Sequence, residues 1–166
     1  VIAVDYGTTN PCVFLDTYDD GQTIWVEREY RWDSRSEEAQ RSGASQKTDK
    51  QYADDMAEFM GSRPEDQCPI IVDPSAASFI QELRSRGWVV KPADNEVLDG
   101  IRKLSTMYAR GAVKINRNQC KGLIAENQSY VWDDKAAERE RRSRSSSRIM
   151  DRMLFATELM RCRNGG

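Results

Sequence analysis

The chain of 166 residues contains no histidine. That absence excludes Ser-His-Asp and Cys-His catalysis, HNH-type nucleases and His-ligated zinc. Cysteine is sparse: Cys12, Cys68, Cys120 and Cys162 are scattered, with no Cys-x-x-Cys pair. They read as reduced thiols, not as a disulfide frame or a zinc site. No apolar run approaches a membrane span and no signal peptide is visible, so no membrane partner is expected. A Gly-x-x-x-x-Gly-Lys-Ser/Thr loop is also missing. Chemistry is left to carboxylates, lysines, arginines and hydroxyls, and hard oxygen ligands favour magnesium, manganese or calcium.

The net charge of −2 conceals an asymmetry. Residues 1–134 carry 16 Lys/Arg against 23 Asp/Glu, whereas residues 135–166 carry 9 against 4, a net of +5. Such a basic end suits a polyanion, or is a solvated tail. The length predicts one domain, residues 1–166, with chain enough for a sizeable core. A Val at position 1 that already belongs to a strand predicts a domain excised from a longer protein.

The opening stretch VIAVDYGTTN reads as a buried strand stopping at Asp5, with Gly7 turning the backbone away. CVFLDTY is a second strand, Asp19-Asp20-Gly21 a hairpin turn and QTIWVEREYRW a third strand. Residues 33–47 are polar and predict a mobile loop. Thr48 caps a helix, TDKQYADDMAEFMG, whose apolar stripe is Tyr52, Met56, Phe59 and Met60 and which ends at Gly61. CPIIVD is a short strand stopping at Asp73, and Pro74 starts the helix PSAASFIQELRSRG. WVVKPAD follows as a strand. EVLDGIRKLSTMYARG is a helix with Val97, Ile101, Leu104 and Tyr108 on one face, GAVKINR a strand and NQCKGLIAENQSYVW a helix. Residues 133–147, Ser/Arg-rich, predict a second mobile loop before a last helix, RIMDRMLFATELM. Three antiparallel strands, then alternating helices and strands, predict an α/β mixed sheet flanked by helices.

Three acids stand out: Asp5 and Asp73 at strand ends, and Asp151 in the first turns of the last helix. If the two strands are neighbours, Asp5 and Asp73 project from one edge, and a helix packed over it completes a cluster with Asp151. Such a cluster stays ionised only with cations present. Two divalent metals about 3.5–4 Å apart can then activate a water and stabilise a leaving oxygen in phosphodiester cleavage. Each acid also has an ordinary structural explanation. Asp5 can accept turn hydrogen bonds, Asp73 before Pro74 can cap a helix, and Asp151 can sit at a helix N-terminus for its dipole. Asp16, Asp19, Asp20, Asp54 and Asp55 read as solvated.

VIAVDYGTTN, the hairpin, CPIIVDPSAASFIQELRSRGW, VLDGIRKLSTMYARGAVKI and IMDRMLFA, in this order, resemble the nuclease domain of tailed-bacteriophage terminase large subunits. The resemblance spans nearly the whole chain. It implies the RNase H/retroviral-integrase-like fold, with helices on both faces of the sheet, and a magnesium- or manganese-dependent, two-metal endonuclease that cuts concatemeric double-stranded DNA during packaging. It also implies an ATPase domain in the full protein, a small terminase subunit and a portal as partners, and the cytoplasm of an infected bacterial host as location. Asp5, Asp73 and Asp151 match the family's three acids as metal ligands and catalytic residues. Where the family carries Asp-His-x-x-Asp, this chain has Ser147, Arg148, Ile149, Met150 and Asp151. One acid and the metal-side His are replaced, which implies weakened activity. Arg148 is suited to grip a phosphate; Arg144, Lys103 and Lys91 are further candidates for DNA contact.

Two other readings stand beside this one. Asp5-Tyr6-Gly7-Thr8-Thr9 also reads as the phosphate loop of an actin-like sugar kinase, although such kinases need a second Gly-rich loop that this chain lacks. The loss at Ser147 and Arg148 is equally compatible with a nuclease fold that binds DNA or a partner without cleaving.

Overall fold

The computed structural model describes residues 1–7, 11–41, 43, 46–64, 67–93 and 106–129. Six strands form one sheet in the order β5-β4-β1-β2-β3-β6. β1 (Ile2–Asp5), β2 (Cys12–Asp19) and β3 (Ile24–Trp32) are antiparallel neighbours. β4 (Ile70–Val72) lies parallel to β1, β5 (Val90–Pro92) parallel to β4, and β6 (Val113–Ile115) parallel to β3. The mixed sheet predicted from the chain is therefore observed.

β1 is apolar until its final residue because both of its faces are covered. Ile2 and Val4 join a core with Phe14, Ile70 and Val72 beneath α2 (Asp49–Met60) and α3 (Ala77–Ser85). Val1 and Ala3 join the opposite core with Val13, Leu15, Ile71 and Leu123 beneath α4 (Lys121–Ser129). α2 begins where the sequence places it: the Thr48 hydroxyl accepts the Gln51 N–H at 3.3 Å, and Gln51 Oε1 accepts the Thr48 N–H at 2.8 Å. It buries Tyr52, Ala53, Met56 and Met60 and ends at Gly61, whose φ of 62° suits a residue without a side chain.

Several expectations are corrected. The segment 33–47 contains a short helix, α1 (Glu37–Arg41), with Ala39 fully buried. α3 begins at Ala77 rather than Pro74, and Asp73 does not cap it: Asp73 Oδ1 reaches forward to accept the Ser75 N–H at 2.7 Å, within a turn that precedes the helix. Asp16 is buried, not solvated, and binds both Arg28 (3.1 Å) and Arg63. Asp55 is half-buried and accepts from Tyr30 and from Lys47 Nζ, the latter at 2.6 Å. Of the helix expected around Ile101, only helical residues 106–109 are described, and Tyr108 is exposed there. The loop 133–147 and the last helix lie outside the described residues.

Candidate functional site

Asp5 is the last residue of β1, and Asp73 stands one residue beyond β4. The parallel register pairs Val4 with Val72, so its next step sets Asp5 beside Asp73. The neighbouring ladder continues past β4, since the Ala93 N–H donates to the Val72 carbonyl at 2.9 Å. Alternation fixes the face. Val4 and Val72 face α2 and α3, whereas Ala3 and Ile71 face the α4 side, so Asp5 and Asp73 fall on the α4 side. Both are partly exposed. Two acids at the carboxyl ends of adjacent parallel strands stand where open α/β sheets bind ligands.

The remaining candidates divide by position. Lys91 pairs with Ile71 and so shares the face of the two acids, partly exposed. Asp151, Arg148, Arg144 and Lys103 lie outside the described residues, as do Thr8 and Thr9, which carried the kinase alternative. Among the described residues, no three Asp, Glu, Cys or His side chains form a metal-binding group. The two acids offer hard oxygen donors, which fit a divalent cation of the magnesium or manganese class.

Sequence reasoning missed the layer behind Asp5. Tyr6 alternates to the opposite face, where its ring stacks on Phe79 (4.8 Å between centroids, 15° between planes) and meets Tyr52 edge-on at 5.7 Å. Its phenol donates to Asp49 Oδ1 in the first turn of α2. Burial first, and then the Asp49 carboxylate, push the Tyr6 phenol far above its ordinary pKa. Cys12 is also pushed up, chiefly by burial; a hydrogen bond from the Gly7 backbone works against this, and the Asp5 charge adds to it. The available signal was an aromatic directly after a strand-ending acid, since alternation must send it into the opposite core.

Neither a family model nor a curated protein matches the chain. Solved structures do. The large terminase of a thermophilic bacteriophage is 36% identical over 95% of this chain, with a TM-score of 0.74. A structure of the same phage's large terminase in complex with ATP-γ-S is 40% identical over 83% of this chain, with a TM-score of 0.69. This chain spans 40% and 33% of the length of those two terminase chains. The P22 large terminase nuclease domain is 14% identical over 97% of this chain and 80% of its own length, with a TM-score of 0.68, a likeness of fold. The nuclease domain of the bacteriophage SPP1 large terminase, a structure with bound Mn, is 18% identical over 75% of this chain and 63% of its own, with a TM-score of 0.50.

Proposed function

Because the chain belongs to the nuclease-domain family of the viral terminase large subunit, with its RNase H-like fold, we propose that it is a divalent-metal-dependent DNA endonuclease module. The carrying observation is the parallel pairing of Val4 with Val72 at the carboxyl edge of the sheet, whose next step would set Asp5 beside Asp73. Asp5 and Asp73 would hold the cation, with Asp151 as the third ligand. Magnesium or manganese bound there supplies activation of a water and stabilisation of the leaving oxygen, by the two-metal route if a pair binds. The chain's own part is to hold two carboxylates on rigid strand ends and to present cations to phosphate. Lys91 stands on the same face as the acids, and Arg148, Arg144 and Lys103 are the further phosphate contacts proposed.

The substrate is concatemeric double-stranded DNA, and the site of action the cytoplasm of an infected bacterium. The longer protein carries an ATPase domain and works with a small terminase subunit and a portal. The ATP-γ-S complex of the thermophilic phage's large terminase supports the ATPase part of that reading.

Plasmid nicking tests the proposal. With manganese the wild-type chain nicks supercoiled DNA. Asp5→Asn and Asp73→Asn each lower the rate by at least about a hundredfold, with melting temperatures held near wild type. Manganese outperforms magnesium, which demands stricter octahedral geometry than a site lacking one acid and one His supplies. A wild-type chain that binds DNA yet never nicks it is a binding module instead.

A further inference from the structure

We propose that Tyr6, held through Asp49, is the positioning residue of Asp5; this rests on the nuclease reading above. A carboxylate ligand must be held to within about 0.5 Å of its working geometry, which a strand end does not secure alone. The ladders to β2 and β4 fix Asp5 from the residues before it, where Asp5 pairs with Val13 and Val4 with Val72. Beyond Asp5 the backbone leaves the sheet, and its next residue is Tyr6.

Tyr6 is gripped in three ways. Its ring lies flat on Phe79 of α3, Tyr52 of α2 closes its edge, and its hydroxyl is tied to Asp49 of α2. The chain direction after Asp5 is thus set by two helices packed on the other face of the sheet. Removing the phenol oxygen leaves the ring in place but releases its tether to α2, so the backbone that orients the Asp5 carboxylate gains freedom.

A general loosening of α2 is the competing explanation, and the molecule contains its own control. Tyr30 makes a second phenol–carboxylate bond to the same helix, at Asp55, and stacks on Phe14 (4.4 Å, 17°). Tyr30 lies on β3, two strands from β1 in the sheet order. Tyr30→Phe removes a bond of the same kind from α2 without touching the residue after Asp5.

The test is calorimetric titration of manganese into the 166-residue chain, alongside metal-free thermal melts. Tyr6→Phe weakens manganese binding about tenfold, as loss of a group that orients a ligand does. Asp49→Ala does the same, and the double variant is no weaker than either single one. Tyr30→Phe lowers the melting temperature comparably but leaves manganese affinity within about twofold of wild type. If the wild-type chain binds manganese and Tyr6→Phe binds it equally well, or if Tyr30→Phe loses as much affinity, the positioning role alone is overturned. A wild-type chain that binds no manganese overturns the nuclease reading and this inference with it.

Discussion

Tyr6, Tyr30, Tyr52 and Cys12 are weak acids whose protons the folded chain retains. Burial is the largest cause for each, and all four stand above the ordinary values of 10.0 for a phenol and 9.0 for a thiol. Cys120 is pushed up to about 11 by the same cause. Above about pH 9 the unfolded chain begins to lose these protons while the folded chain keeps them, so the folded state binds more protons than the unfolded. Their contribution to stability is complete below that pH and is lost as pH rises through the phenol range. Urea melts followed from about pH 7 to 11 should therefore show an unfolding free energy that declines above about pH 9; a rise over that interval contradicts the burial of these groups. The same single-residue view explains a misreading. Asp16 lies in a strand pattern that ends in turn residues, and nothing local marks it as buried. Its partners Arg28 and Arg63 come from β3 and from the segment after α2, and a single sequence does not announce pairs so far apart in the chain.

At the scale of elements, what was legible followed local chemistry. The hairpin between β2 and β3 turns at Gly21 (φ 94°), with Asp19 and Asp20 accepting backbone N–H groups at 2.7–2.9 Å, and α2 carries its own capping box. α1 was missed because Glu37–Arg41 holds a single apolar residue, Ala39, and so shows no apolar period. The start of α3 was misplaced because Asp-Pro is compatible with a cap and with the turn that Asp73 makes in fact. The docking of α4 on β3 was not legible at all, and it yields a test. Arg31 Nε binds Glu29 Oε1 and Arg31 Nη1 binds Glu126 Oε1, both at 2.8 Å, while Glu29 Oε2 accepts the Leu123 N–H at 2.9 Å. Gly122 lies against this cluster: a Cβ there would come within 2.3 Å of Arg31 Nε and 2.6 Å of Glu29 Oε1. Ala gains about 1 kcal/mol over Gly in a helix, but overpacking a fixed cluster costs about 1–3 kcal/mol. Because both contacted atoms are pinned by ion pairs, the cost prevails. Gly122→Ala should lower the melting temperature by a few degrees, and a more stable variant would mean that the cluster yields freely.

At the scale of the molecule, the pairing of β1 with β4 brings to one sheet edge the ends of two strands whose acids are 68 positions apart in the chain. Each strand end was readable from its apolar run; their adjacency needed the whole sheet, including the crossover through α2. Charge is distributed unevenly over the same chain, with the net +5 of residues 135–166 set against an acidic remainder that holds Asp5 and Asp73. An acidic edge repels phosphate, so on the proposed nuclease reading DNA would be held by cations and by basic side chains together. Binding through arginines releases counterions and weakens with salt by a log–log slope of about −0.9 per phosphate neutralised. Replacing Arg139, Arg141, Arg142 and Arg144 with Gln should then weaken binding to all DNA sequences alike and flatten that slope by about 3.6 if each contacts one phosphate. Asp5→Asn should leave the slope as it is, because it changes a proposed metal ligand and not the proposed phosphate contacts. Filter binding or anisotropy from 50 to 200 mM salt, roughly the range over which such contacts are lost, measures both. An unchanged slope in the quadruple variant would show that phosphates are gripped elsewhere. The basic stretch would then be a solvated tail, and Lys91, on the face of the two acids, becomes the residue to replace next.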